Sequence, residues 1–341
     1  MKNIFIHLRV HTNFSLAEGM LSFDYLSKFC RQNNQPAIAI TDTSNMFGVL
    51  EFSINMVSKG IQPIIGMQVN ISGTENLKNS VGEVVLIAKN EIGYKNLLVL
   101  TSELSVNSNF DKFISYENLK HYKDGIILLT GGIENGFVGK PASLGNLKLV
   151  NDRLKILKDL FDDNLYIELQ RHGIKSQVNA EKILLDSSHK FNLPLVATND
   201  CFFENENKFN AHRVLTCIDK GLTISSNNRR LLTKEHYIKD TNKMISLFED
   251  IPEAIENTVI IAQRCSFFAK THEPILPKFP GLKNVCETEY LSDVSKKGLM
   301  KRFQFSNKKF TEKEKDTYEN RLINELNIIN KMGFAGYFLI V

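Results

Sequence analysis

Phe5-Ile-His-Leu-Arg-Val-His-Thr-Asn-Phe-Ser-Leu-Ala-Glu-Gly19 opens the chain with an apolar, strand-like run that breaks into a polar loop holding His11 and Glu18. Side chains two apart in a strand share a face, so the alternation predicts His7, Arg9 and His11 on one side and Leu8 and Val10 on the other. Such a strand can aim several imidazoles at one metal. Zinc and manganese take neutral imidazole nitrogens and carboxylate oxygens, whereas a guanidinium never deprotonates and cannot ligate. Arg9 therefore argues against a metal here.

Working outward, strand-like runs recur at Ile4–Val10, Ala37–Thr41, Pro63–Ile71, Val84–Ala88, Gly125–Leu129, Leu165–Leu169 and Pro194–Thr198. Helical patterns fill the gaps: Ser22 can cap Phe23–Gln32, Phe47–Lys59 has apolar helical spacing before Gly60, and Asn151–Phe161 and Gln177–Phe191 read similarly. Alternation of this kind predicts parallel strands covered by helices, and seven units favour a barrel over an open sheet. In βα barrels the chemistry gathers at the C-terminal strand ends. Here these ends carry His11, Thr41-Asp42-Thr43, Gln68, Thr130-Gly131-Gly132, Gln170-Arg171-His172 and Thr198-Asn199-Asp200. Two readings fit that list: one converging pocket, or turn-forming residues that merely end each strand.

Composition narrows the class. The 341 residues have ample length for a buried core. The 43% hydrophobic content is spread in short runs, none near the roughly 20 apolar residues of a membrane span. The N-terminus has no secretory pattern, so a cytoplasmic location without membrane partners is the expectation. Five widely spaced cysteines with no CxxC pair signal neither a disulfide framework nor a zinc ribbon. A net charge of +4 is common among ordinary enzymes and does not diagnose nucleic-acid binding.

The stretch Thr271–Gly281 holds three of the eight prolines and reads as an extended linker. It divides the chain into residues 1–270, a linker over 271–284, and 285–341. Beyond it, Ser292–Arg321 carries nine Lys or Arg against five Asp or Glu, either a phosphate-contacting surface or a solvated helical face. A last helix over Asp316–Met332 places Leu322, Leu326 and Ile329 on one face and ends at Gly333. The following Phe334-Ala-Gly-Tyr-Phe-Leu-Ile-Val341 is apolar and β-prone; in a sheet its terminal carboxylate would be buried. The expectation is therefore an N-terminal piece of a longer protein.

The motifs His7–Ser15, Ala39–Gly48, Ile64–Val69, Ala88–Leu97, Glu168–Gly173, Ala197–Asp200 and Lys331–Val341 resemble, in order, the α subunit of bacterial DNA polymerase III. The resemblance implies a polymerase-and-histidinol-phosphatase (PHP) domain, a distorted seven-fold βα barrel, over residues 1–270, with the beginning of a polymerase palm over 285–341. It implies palm aspartates holding Mg2+ beyond Val341, with no catalytic residue and no cofactor in this segment. It further implies DNA and deoxynucleotides as partners of the full-length protein, together with a proofreading 3′–5′ exonuclease subunit and a sliding clamp.

Active PHP domains of that family use nine metal ligands, and the resemblance carries them onto Arg9, His11, Glu18, Thr43, Gln68, Glu83, Gly132, Asp200 and Phe202. Only His11 and Asp200 keep the expected residue, with Glu18 and Glu83 offering carboxylates instead. The expectation is a vestigial, metal-free pocket in which Arg9 neutralises Glu18, Asp42, Glu83 and Asp200 as a buried ion-pair network. The barrel then serves structure and exonuclease docking. The competing reading is a metal-dependent phosphoesterase or intrinsic 3′–5′ exonuclease. His7, His172 and His212 read as hydrogen-bonded structural residues. The turn Asp42–Gly48 is too short and too poor in acids for an EF-hand and reads as a helix cap.

Overall fold

The computed structural model describes residues 4–74, 81–106, 113–225, 232–273, 277, 279–280, 282 and 286–341. It divides into two compact units, residues 1–270 and 271–341. Much of the proline-rich linker of 271–284 lies outside the described residues.

In chain order the first unit comprises α1 (Phe23–Gln32), β1 (Ala37–Ile40), α2 (Val49–Ser58), β2 (Gln62–Ser72), β3 (Val81–Ala88), α3 (Glu91–Val106), α4 (Tyr116–His121), β4 (Ile126–Leu129), α5 (Gly139–Ser143), α6 (Leu147–Phe161), β5 (Leu165–Gln170), α7 (Lys175–Phe191), β6 (Leu195–Thr198), α8 (Phe209–Asp219), α9 (Thr241–Leu247) and α10 (Pro252–Arg264). The second holds α11 (Glu287–Phe305), α12 (Glu312–Lys331) and α13 (Ala335–Ile340). Among the described residues no helix is long and apolar enough to cross a membrane.

The six strands form one curled, half-barrel sheet in the order β1-β2-β3-β4-β5-β6. Two features depart from the alternating parallel pattern. Strand β3 runs antiparallel to both β2 and β4. Only eight residues separate β2 from β3, too few for the crossover that a parallel pair needs. The run Ile4–Val10 forms no regular strand: a single bridge joins Val10 to Cys201. A few backbone bonds hold it, including Ala39 N to His7 O at 2.8 Å and His11 N to Cys201 O at 2.8 Å. Its neighbours present short strands of four residues each, β1 and β6, which leave little ladder to extend.

Period-two alternation sorts the sheet into two faces. Ile6, Leu8, Ala39, Ile64, Val85, Ile87, Ile127, Leu129, Tyr166 and Val196 form one apolar cluster, into which α10 inserts Ile261, Ala262 and Cys265. The opposite-parity residues, among them Ile38, Ile65, Met67, Leu86, Leu128, Ile167 and Ala197, pack against the surrounding helices.

Side chains cap the N-termini of α1, α4, α6, α9 and α12. Ser22 accepts a hydrogen bond from Tyr25 N and starts α1, and Thr311 with Glu314 forms a capping box on α12. The Asp42–Gly48 turn is an exception. Its hydroxyls and amide do not cap α2, whose N-cap is Gly48 with no side-chain bond; Asn45 instead donates to the Phe14 and Thr43 carbonyls. The β-prone end of the chain is also not a strand. Gly333 takes φ +74° after α12, and the chain then turns into α13, whose Ala335 packs with Leu291 and Leu326. The second unit offers no sheet edge among its described residues, so helical bonds satisfy that backbone instead.

Candidate functional site: a guanidinium among carboxylates

The alternation that builds the inner apolar face also builds the pocket. Continuing from Ile64 along β2 reaches Gln68; from Tyr166 along β5, Glu168 and Gln170; from Val196 along β6, Thr198 and then Asp200. On β3 the inward series Ile87, Val85 runs backwards to Glu83, because the antiparallel strand brings its N-terminal end to the same rim.

Parity breaks in the first segment. Ile6 and Leu8 belong to the inner cluster, yet Val10 belongs to the outer one, so the chain turns over between them and delivers Arg9 to the pocket. Arg9 is 1% exposed. Its Nε donates to Asp200 Oδ1 at 2.9 Å, Nη1 to both Glu168 oxygens at 3.1 Å, and Nη2 to Gln68 Oε1 at 2.6 Å and to Glu83 Oε1. These five contacts match the five N–H groups of a guanidinium. Burial would lower the Arg9 pKa, but Asp200, Glu168 and Glu83 together outweigh it and hold the value above that of an ordinary arginine.

The remaining polar groups form linked shells. Glu168 Oε1 accepts from Gln170 Nε2 at 2.8 Å and from Thr198 Oγ1. His11 Nε2 lies 3.0 Å from Asp200 Oδ1, and its Nδ1 lies 3.2 Å from Ser15 Oγ. The Phe202 ring stacks on the His11 imidazole, with centroids 4.3 Å apart and planes within 5°. Asp42 accepts from Thr12 N and Ser15 Oγ at 2.7 Å and from Thr12 Oγ1 at 2.8 Å. Burial pushes its carboxyl pKa up, against hydrogen bonds from Ser15 and Thr12 that pull it down. Glu18 accepts from Thr43 Oγ1 at 2.6 Å. At Gly132 an added Cβ would lie 2.3 Å from Gln170 Oε1.

The expected residues thus fall into two groups. Arg9, Gln68, Glu83 and Asp200 meet at one guanidinium, with His11 and Phe202 alongside. Thr43 satisfies Glu18, and the Thr12–Ser15 turn satisfies Asp42, so Asp42 and Glu18 are not the partners of Arg9 that the sequence suggests. Local hydroxyls reach them first. His7 leaves the pocket: its Nε2 faces the Lys239 carbonyl at 2.8 Å, and its ring packs edge-on to Phe5. Sequence reading missed Glu168, whose carboxylate carries two of the five guanidinium contacts. The available signal was its parity with Tyr166 and Gln170 on β5.

This donor set does not fit a cluster of divalent ions. The carboxylate lone pairs that would hold them point at a permanent cation, and a second cation beside it meets direct repulsion. Among the described residues no group of three or more His, Cys, Asp or Glu is disposed to hold a metal ion. The cavity bounded by Glu18, Phe202 and His212 measures about 20 Å³, and that beside Gly132, Glu168 and Gln170 about 10 Å³, room for about one water each.

Residues 7–172 match the model of the PHP domain, and residues 289–341 match that of the bacterial DNA polymerase III alpha NTPase domain. The DNA polymerase III subunit alpha of Caulobacter vibrioides is 37% identical over 99% of this chain and 30% of its own length. That of Rickettsia bellii is 37% identical over the whole of this chain and 29% of its own. Among solved structures, one described as a metal-dependent phosphoesterase of Bifidobacterium adolescentis aligns with TM-score 0.36 and 14% identity, over 57% of this chain and 86% of that one; so distant a likeness has no bearing on the site. The chain belongs to the bacterial DNA polymerase III alpha family, carries its PHP domain, and spans about three tenths of the length of the relatives it matches.

Proposed function

We propose that the chain is the N-terminal segment of a replicative DNA polymerase catalytic subunit. In this reading its PHP barrel hydrolyses nothing, holds no metal, and serves as a structural platform on which a proofreading 3′–5′ exonuclease docks. Template-directed synthesis from deoxynucleotides, with Mg2+ on palm aspartates, belongs to the rest of the protein, as does engagement of a sliding clamp. The working compartment is the cytoplasm.

The observation that carries the barrel's part is the Arg9 guanidinium, which occupies Glu83, Glu168 and Asp200 at once. The docking part is supported by α2 and the turn before it. Phe47, Leu50, Ile54 and Val57, spaced three and four apart, are 67%, 42%, 50% and 44% exposed. That spacing makes one apolar stripe on the outside of the helix, the kind of surface a partner covers.

Metal analysis of the purified chain, with hydrolysis assays on phosphate esters and 3′-ended DNA, tests the barrel reading. Substoichiometric metal and no EDTA-sensitive hydrolysis are expected. Stoichiometric zinc or manganese with EDTA-sensitive cleavage would establish the phosphoesterase reading in its place. An immunoblot of the native cells tests the segment reading, since a band well above 38.8 kDa is expected. The substitution I54D should abolish capture of the exonuclease subunit while leaving thermal unfolding unchanged.

A further inference from the structure

Helix α8 turns one face toward a cavity of about 150 Å³. Phe209, Arg213, Thr216, Cys217 and Lys220 line it from the helix, at the three- and four-residue intervals that share one side. Leu222 and Leu232, from the chain beyond α8, complete the wall. The lining therefore holds two cations, Arg213 and Lys220, and no carboxylate. Glu18 and Asp219 border the neighbouring cavity of about 20 Å³ instead. Among the described residues neither Arg213 nor Lys220 forms an ion pair.

The other polar groups of the lining are already engaged. Thr216 Oγ1 donates to the Arg213 carbonyl at 3.1 Å, and Cys217 Sγ to the Thr223 carbonyl at 3.6 Å. His212 Nε2 lies 2.6 Å from the Glu18 carbonyl. What remains for a guest is an apolar surface from Phe209, Leu222 and Leu232 with one guanidinium beside it. Arg213 is half-buried, and its guanidinium carbon lies 5.9 Å from the centroid of the Phe209 ring. A guanidinium over a ring keeps its N–H edge turned to acceptors, and a planar carboxylate matches that fork with two parallel bonds. The volume is about that of a cavity that takes up a benzene ring. An unfilled cavity forfeits dispersion contacts, and two like charges beside it add nothing to folding. A guest with an apolar body and one negative charge reverses both.

We propose that this cavity binds a small apolar monocarboxylate, with the carboxylate on the Arg213 guanidinium and the body against Phe209, Leu222 and Leu232. Lys220, exposed at the end of the same helix face, adds attraction without a fixed contact. The site is separate from the Arg9 network, none of whose residues lines it, and it stands independent of the polymerase reading.

The test is titration of the 341-residue chain with benzoate, followed by saturation-transfer NMR and calorimetry, beside acetate, benzyl alcohol and phenyl phosphate. Benzoate should bind with a Kd of about 1 mM or tighter, the range open to so small a ligand. Acetate lacks the body and benzyl alcohol lacks the charge, so each should bind about fivefold or more weakly than benzoate. R213Q should weaken benzoate about fivefold or more and leave benzyl alcohol unchanged, a split that general loosening of the fold would not produce. L232W fills the cavity from the side opposite to the charge in sequence, keeps Arg213, and should abolish binding of benzoate and benzyl alcohol alike. Circular dichroism identical to the parent is expected of both variants. The proposal is overturned if benzoate does not bind the parent, if R213Q or L232W binds it as the parent does, or if acetate or benzyl alcohol binds as tightly as benzoate. Tighter binding of phenyl phosphate than of benzoate also overturns it, and would make the cavity a phosphate-ester site. Each of these results leaves primer extension by the full-length protein to decide the polymerase reading separately.

Discussion

Replacing Arg9 by methionine keeps a long unbranched side chain and removes the guanidinium that, among the described residues, meets three carboxylates at once. Glu83, Glu168 and Asp200 all contact it, and Glu168 and Asp200 are 0% and 7% exposed in their side chains. At an effective dielectric near 20, each such pair at about 4 Å between charge centres is worth on the order of 4 kcal/mol gross. Desolvation offsets much of that sum, and breaking a buried pair from one side typically costs about 3–5 kcal/mol. Because three carboxylates lose one shared partner, the expected loss for R9M is about 5 kcal/mol, a large part of the roughly 5–15 kcal/mol that holds a domain folded. Urea denaturation at neutral pH measures it. R9M/E168Q should recover at least ~1 kcal/mol relative to R9M, because the Glu168 carboxylate that lost the guanidinium is then neutral. Neither variant should acquire phosphoesterase activity. An R9M protein within about 1 kcal/mol of its parent would refute the reasoning, since the guanidinium would then be a bystander.

Two further outcomes follow from the same geometry. Burial drives the His7 pKa down to about 4, so between that value and the unfolded value near 6.5 the unfolded chain binds the extra proton. Stability should rise with pH across that window and be lost as pH falls through it, by up to about 3 kcal/mol for this one group; H7Q should flatten the dependence, and equal slopes for parent and variant would count against it. Gly131 sits at φ +82°, where an added Cβ would lie 2.1 Å from the Glu83 carbonyl oxygen. G131A should therefore lower stability by at least ~2 kcal/mol through strain and the displaced β3 backbone, read as a fall in melting temperature.

Much of this molecule is written in local pattern. The apolar runs at Ala37, Pro63, Val84, Gly125, Leu165 and Pro194 each become a strand, and Ser22, Gly60 and Gly333 punctuate helices where their chemistry suits. Family membership is equally legible, because long ordered motifs survive along the whole chain. The candidate pocket was legible in part. Substituting Arg for a ligand is a statement about charge that needs no coordinates, and it named Glu83 and Asp200 as partners correctly.

What the sequence by itself determined, then, is where six of the strands and several of the helices lie, which family the chain resembles, and that a fixed cation stands among residues a metal would want. Only the tertiary structure decided which carboxylates that cation meets. Period-two alternation fixes a side chain's face within one strand but says nothing about strand direction, and the reversal of β3 is what carries Glu83 to the rim. The inversion between Leu8 and Val10 brings Arg9 inside and sends His7 out, a result of meeting β1 and Cys201 at once. Glu168 joined the network for the same reason that Asp42 and Glu18 did not: a buried charge takes the partner within reach, and reach is set by packing between elements distant in sequence.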